Sequence, residues 1–167
     1  MKHLISLAVI ALCGFSTIPA FAQRCFSPEA FHAPQPILSK EPLIIVSQDG
    51  QAHNFSVEMA LTPGQQETGL MERRSLPADG GMLFDMGLPP QGSHFWMCNT
   101  VLPLDMVFIK PEGTIDSVAE NAVPFSVNEE RSQGPVRATL ELPSGTAARL
   151  GIRAGDTVRQ RIFGNAG

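Results

Sequence analysis

Residues 106–119, with the sequence MVFIKPEGTIDSVA, decide the fold class of this chain. Met106–Ile109 is a continuous apolar run, as expected for a buried strand, and 114–119 is a second strand-forming segment. Glu112-Gly113 between them is typical of a tight hairpin turn. The stretch therefore predicts two adjacent antiparallel strands.

Similar strand and turn signals lie on both sides of this hairpin. Further strands are predicted at Leu43–Val46, Phe55–Met59, Met82–Phe84, Phe95–Met97, Val136–Leu142 and around Val158 and Ile162. The repeated helix crossovers that a parallel sheet requires are missing. We expect a mostly β or α+β fold, a compact antiparallel barrel-like sheet of about seven strands with two short helices.

Both helices have recognisable ends. Thr62, Pro63 and Gln65 form a capping-box start, and the first helix should run to about Arg73. For the second helix, we expect Ser144 to cap the N-terminus and Gly151 to end it.

Strand alternation assigns side chains to faces. It predicts that four residues of one strand are buried while their neighbours point outward: Val136, Ala138, Leu140 and Leu142 against Arg137, Thr139 and Glu141. It also places three residues on each face of another strand: Trp96, Cys98 and Thr100 against Phe95, Met97 and Asn99.

The first 22 residues have the features of a signal peptide. A short basic start precedes an apolar stretch, and Ala20-Phe21-Ala22 supplies the small residues that a signal peptidase recognises. We expect cleavage after Ala22 and a periplasmic or secreted protein, with membrane association only if this segment stays uncleaved. Residues 23–42 are then an extended arm, and 43–167 form a single β-rich domain.

The composition excludes some classes of protein. The chain has 167 residues, 12 Lys and Arg against 16 Asp and Glu, and a formal net charge of −4. A nucleic-acid-binding protein would show a basic face, so no nucleic-acid partner is expected. Hydrophobic residues make up 43% of the chain, which argues against disorder.

Removal of the signal peptide would leave two cysteines, Cys25 and Cys98. In an oxidising compartment the two can pair, and closing so long a loop would contribute about 4 kcal/mol on the chain-entropy model. The alternative is that Cys25 lies in a loose N-terminal segment and Cys98 is simply a strand residue.

No motif for a nucleotide, a nucleophile or a bound metal occurs, so no catalytic residue and no cofactor is assigned. The candidate binding residues are a polar set among apolar runs, together with one tryptophan: Glu58, Arg73, Trp96, Asn99, Thr100 and Asp105. Burying Asp105 requires a partner, for which Arg73 is the natural candidate. The set is either a structural network or the lining of a pocket with Trp96 as an apolar wall.

Several methionines, with Cys98 and His94 nearby, permit a soft copper site. The methionines are Met71, Met82, Met86, Met97 and Met106. Because they lie inside apolar runs, core packing is the preferred interpretation, and no metal ligand is assigned.

Four blocks of sequence resemble the prokaryotic family called domain of unknown function 192. The most specific is FWMCNT at 95–100 followed by Pro103-Leu104-Asp105. The others are Glu58 to Leu76, Gly81–Phe84 and Glu141 to Asp156. The resemblance implies a compact, mostly β domain that is commonly exported or tethered to a membrane, and it brings no established activity. Cys98 stands where that family often has a basic residue.

Three functions are consistent with these observations. The first is a non-enzymatic periplasmic binding or accessory module for an unknown small ligand or envelope protein. The alternative is a hydrolase that uses Asp105 or Glu58 as general base, and the third is a copper-handling protein. The absence of a nucleophile, metal motif or cofactor loop favours the first.

Overall fold

The computed structural model describes residues 33–166. In chain order its elements are β1 (Lys40–Val46), β2 (Ala52–Ala60), α1 (Pro63–Thr68), β3 (Gly80–Asp85), β4 (His94–Phe95), β5 (Leu104–Ile109), β6 (Ile115–Ala122), β7 (Glu130–Arg131), β8 (Ala138–Pro143), α2 (Thr146–Leu150), β9 (Thr157–Arg159) and a 3₁₀ helix (Arg161–Phe163). Within the described residues, no helix is long and apolar enough to cross a membrane.

Seven strands form one curled sheet with the order β6-β5-β8-β3-β2-β1-β9, and β4 pairs with β7 separately. The predicted mostly β fold with two short helices is confirmed. The sheet is mixed rather than purely antiparallel, because β2 and β3 are parallel. The chain between them contains α1, which returns it to the starting end of β2.

The two edge strands of the sheet meet at one end. Thr114, next to β6, forms an isolated bridge with Thr157 of β9. The Ile115 amide donates to the Asp156 carbonyl at 2.8 Å, and the Val158 amide donates to the Gly113 carbonyl at 2.7 Å. Gly113 has φ 91°, and a Cβ there would lie 2.5 Å from the Val158 oxygen. The predicted hairpin glycine thus permits the close approach that joins the two edges.

The sheet is covered on both faces. One cluster packs on one face and includes Ile45, Val57, Leu83, Val107, Leu140 and Val158. A second cluster covers the other face of the central strands and includes Leu70, Met82, Phe84, Met97, Met106 and Phe108. Four of the methionines considered as copper ligands are therefore buried core residues: Met71, Met82, Met97 and Met106.

This double coverage explains why the alternation predicted for β8 was wrong. Thr139 and Glu141 were expected to face outward, yet both are buried. When both faces of a sheet are covered, the residues on both faces of a strand are buried, so a polar residue in the alternating pattern does not have to lie in solvent.

The first helix has the predicted start and a different end. The Gln65 amide donates to Thr62 Oγ1, and the Thr62 amide donates to Gln65 Oε1, which completes the capping box. The helix stops at Thr68 rather than near Arg73, because Gly69 leaves helical geometry at φ 48°.

The second helix ends at Gly151 as predicted, but Ser144 does not cap it. Its N-cap residue is Gly145 at φ 78°, which has no side chain to offer, and Ser144 Oγ donates instead to Asn121 Oδ1. The last strand ends at Arg159, and Ile162 lies in the 3₁₀ helix, so that part of the strand prediction was also wrong.

The predicted signal peptide and most of the predicted arm lie outside the described residues. Within the arm, β1 begins at Lys40, earlier than expected, and includes Pro42. Pro42 lies opposite Ser56 of β2. On the other side of β1, β9 pairs only with residues 44–46, so no strand there requires the N–H that proline lacks.

Candidate functional site

A buried ion pair joins Glu58 of β2 to Arg73, which follows α1. Arg73 Nη2 donates to Glu58 Oε2 at 2.9 Å, and the side chains are 11% and 5% exposed, respectively. The same carboxylate oxygen accepts the Leu38 amide at 2.8 Å, and Arg73 Nη2 also donates to the Pro36 carbonyl at 3.4 Å. The pair therefore also fastens the segment that precedes β1.

Two left-handed residues position the loop that carries Arg73. Glu72 has φ 59° and Asn99 has φ 55°, and the Glu72 amide donates to the Asn99 carbonyl at 2.9 Å. Such conformations are costly for residues other than glycine and persist where surrounding contacts enforce them. The hydrogen bond ties the Arg73 loop to the segment that carries Trp96.

A cleft of about 440 Å³ opens beside the ion pair. Its lining includes the cationic side chains of Lys40, Arg73 and Arg74 and the carboxylates of Glu58 and Glu72. Ile37 and Leu76 contribute apolar surface. The cleft thus combines a net positive set of charges with apolar walls.

The Arg73 guanidinium is incompletely hydrogen-bonded. Both of its side-chain hydrogen bonds use Nη2. Nε is buried and has no acceptor among the described residues. A guanidinium has five N–H donors, so Arg73 retains donors for a further acceptor.

Asp105 lies elsewhere, and the predicted Arg73–Asp105 pair was wrong. Asp105 is fully buried; its Oδ1 accepts the Asn121 amide at 2.9 Å and its Oδ2 accepts the Ala147 amide at 2.8 Å. Ala147 is in the first turn of α2, whose amides need acceptors. Backbone donors, rather than an arginine, thus satisfy this carboxylate.

Trp96, Asn99 and Thr100 do not lie on a strand. β4 ends at Phe95, and a turn follows in which the Thr100 amide donates to the Met97 carbonyl at 3.1 Å. Trp96 is 45% exposed, while Cys98 and Thr100 are buried, so the predicted common face of these three residues was wrong. Thr100 Oγ1 donates to the Cys98 carbonyl at 3.3 Å, which is a local structural contact.

Trp96 lines a second cavity, of about 280 Å³, with Phe95, Met86, Glu67 and Glu129. It shares no lining residue with the cleft at Arg73. Four of the six candidate residues therefore divide among three places: Glu58 and Arg73 in the cleft, Trp96 in the second cavity, and Asp105 in the core below α2. Asn99 and Thr100 lie in the loop between β4 and β5.

Glu141 is a buried carboxyl group that was not predicted from the sequence pattern. In the sheet register it lies between Met82 of β3 and Met106 of β5, and Glu58 lies on the far side of Met82. Within the described part of the chain, no hydrogen bond or ion pair reaches its carboxyl group. Burial raises the pKa of Glu141 to about 8. Its position in an apolar strand would have indicated a buried carboxyl only if both faces had been known to be covered.

Within residues 33–166, no three His, Cys, Asp or Glu side chains lie close enough together to hold a metal ion. Cys98 is buried, and Cys25 lies outside the described residues, so the Cys25–Cys98 bridge stays a prediction.

The sequence profile of DUF192, a family described as uncharacterised ACR, matches residues 44–160. The chain belongs to the DUF192 family. No curated protein matches it. Among solved structures, a candidate transcription regulator from Sinorhizobium meliloti 1021 is similar, with 43% identity, a TM-score of 0.74, and coverage of 77% of this chain and 98% of that one. A protein of unknown function from Novosphingobium aromaticivorans DSM 12444 is also similar, with 39% identity, a TM-score of 0.71, and coverage of 77% and 91%. This DUF192 member therefore shares its fold with these two proteins.

Proposed function

We propose that this protein is a non-enzymatic periplasmic binding module and that the cleft at Arg73 holds a small anionic ligand. The observation that carries the proposal is the Arg73 guanidinium, which lies at the cleft with a buried Nε that has no acceptor within residues 33–166. A buried donor without an acceptor costs about 1–3 kcal/mol, and a ligand oxygen that reached it would recover this free energy.

The charges around the guanidinium favour an anion. Glu58 orients Arg73 through the 2.9 Å contact, and Lys40 and Arg74 add positive charge at the edge of the cleft. A carboxylate or phosphate can accept two parallel N–H groups from one guanidinium, which fixes its orientation. The apolar surface of Ile37 and Leu76 suits a ligand with a short hydrocarbon portion.

The cellular location in this proposal rests on the sequence. Cleavage after Ala22 would release a periplasmic protein, and the Cys25–Cys98 bridge would form in that oxidising compartment. The S. meliloti relative is described as a candidate transcription regulator. The net charge of −4 does not support DNA contact by this chain.

A hydrolase has less support. A general base must be able to take a proton from substrate or water. Asp105 is fully buried and accepts two backbone amides, and Glu58 is held by Arg73 and the Leu38 amide. Neither carboxylate is placed for that role.

The test is a titration of isotope-labelled protein with acetate, succinate and inorganic phosphate, followed by amide chemical shifts. We expect saturable shifts at Ile37, Arg74 and Leu76 with at least one of these anions. Arg73→Lys keeps the charge but loses the planar fork, so affinity should fall several-fold. Arg153→Gln, at an exposed site outside the cleft, is the matched control and should bind normally.

Saturable shifts that are unchanged in Arg73→Lys would contradict the assigned role of Arg73. The absence of any saturable shift at the cleft with all three anions would overturn the proposal.

A further inference from the structure

The cavity at Trp96 has an unusual combination of an exposed aromatic ring and carboxylates. Trp96 is 45% exposed, although tryptophan usually buries most of its surface. The same cavity is also lined by the apolar Phe95 and Met86 and by the polar Gln66, Glu67, His94 and Glu129. The volume of about 280 Å³ suits a compact small molecule rather than a drug-sized one.

The aromatic wall is held in place by its surroundings. The Phe95 ring packs edge-on against Phe84 with centroids 5.0 Å apart and an angle of 79° between the ring planes. The Met97 amide donates to the Ser126 carbonyl at 3.0 Å, which fixes the backbone directly after Trp96. A rigid wall lowers the entropic cost of binding, because little has to be ordered when a ligand enters.

The charges of this cavity are opposite to those of the cleft at Arg73. Glu129 is ion-paired with Arg131. Glu67, on α1, is exposed and has no cationic partner among residues 33–166. The cavity therefore offers one uncompensated carboxylate beside a tryptophan face.

We propose that the Trp96 cavity is a second binding site, for a small organic cation such as a methylated ammonium group. The face of an indole attracts a cation within about 6 Å of the ring centre. The methyl groups of such a cation would contact the apolar surface of Phe95 and Met86, and Glu67 would supply the opposite charge. Because this site shares no lining residue with the cleft at Arg73, the proposal stands or fails independently of the proposed function.

Trp96 is the only tryptophan in the chain, so the tryptophan fluorescence of the protein reports on the surroundings of this one ring. The experiment titrates the full-length mature protein with choline and, in parallel, with its neutral carbon isostere dimethylbutanol. We expect a saturable change with choline and a response to dimethylbutanol that is at least several-fold weaker. Glu67→Gln should weaken choline binding several-fold and leave dimethylbutanol unaffected.

Glu112→Gln is the matched control, since Glu112 is exposed in the β5–β6 turn, outside this cavity. It should bind choline like the parent protein. Equal binding of choline and dimethylbutanol would overturn the proposal, because the cavity would then recognise apolar shape alone. Unchanged fluorescence with choline, or equal loss of affinity in Glu67→Gln and Glu112→Gln, would overturn it as well.

Discussion

Asp105 of β5 caps α2 from a distance of 42 positions in sequence: its Oδ2 accepts the Ala147 amide at 2.8 Å. The residue at the N-cap, Gly145, has no side chain that can do so. The other oxygen accepts the amide of Asn121, a left-handed residue at φ 57°. One buried carboxylate thus joins β5 to both the end of β6 and the start of α2.

Replacing this carboxylate should destabilise the protein strongly. Asp105→Ala leaves the buried Ala147 amide without an acceptor, at a cost of about 1–3 kcal/mol, and also removes the acceptor of the partly buried Asn121 amide. We expect a loss of at least about 2 kcal/mol in the free energy of unfolding and a melting temperature lower by several degrees. Urea and thermal unfolding measure both. Asp79→Ala, at an exposed position, should change neither, and equal stability of the two variants would contradict the capping role.

The Glu58–Arg73 pair should show coupling between its two members. Arg73→Met leaves the Glu58 carboxylate buried and unpaired, which typically costs about 3–5 kcal/mol. Glu58→Gln in the same chain removes that charge while keeping an acceptor for the Leu38 amide, so the double variant should be more stable than Arg73→Met alone. Urea unfolding of the four proteins in the cycle gives the coupling energy. If the two substitutions are simply additive, the pair does not act as a unit.

Glu141 should make stability depend on pH. Its pKa is about 8 in the folded state, against an ordinary value of 4.5. Between these values the folded protein binds more protons than the unfolded chain, so the free energy of unfolding falls as pH rises, by at most about 1.4 kcal/mol per pH unit from this group. The Glu141→Gln variant does not lose stability in this way. The difference in free energy of unfolding between the variant and the parent should therefore shift in favour of the variant from about pH 5 to about pH 8.

Urea unfolding across this pH range tests the prediction. Glu120→Gln, the same substitution at an exposed position, is the control for the loss of a carboxylate as such. A Glu141→Gln profile parallel to that of the parent would mean that the carboxyl group ionises in place without penalty.

The predicted bridge is tested by the mass of protein recovered from the periplasm. Cleavage after Ala22 leaves Gln23 as the first residue, and pairing of Cys25 with Cys98 lowers the mass by two hydrogens. Reduction should then cost about 4 kcal/mol of stability on the chain-entropy model. Cys98→Ser should be insensitive to the same reductant. A fully reduced mass would rule out the bridge.

Predictions from the sequence were correct for features that depend only on residues close together in the chain. The hairpin around Gly113 and the capping box at Thr62 were predicted because a few neighbouring residues determine each of them. The alternation predicted for β8 was wrong at Glu141, because the outer face is buried by loop residues such as Leu70 and Met97 that lie far away in the sequence. Coverage of that kind is a tertiary property and leaves no local signal.

For the candidate site, the sequence identified the buried charges but not their partners. Arg73 was assigned to Asp105, yet the parallel β2–β3 pairing and the left-handed Glu72 bring it to Glu58. Asp105 needs no cation, because α2 supplies a backbone amide. Which partner a buried carboxylate finds depends on the packing of whole elements, which residue types alone do not determine.

The junction between Thr114 and Thr157 makes the fold dependent on its last strand. β9 is only three residues long, yet it pairs with β1 and touches the start of β6, so it closes the gap between the first strand and the central hairpin. A chain that ended before Thr157 would leave the backbone groups of both strands open to pairing with another molecule. By pairing with these backbone groups, the three residues of β9 protect the sheet from edge-to-edge association with other molecules.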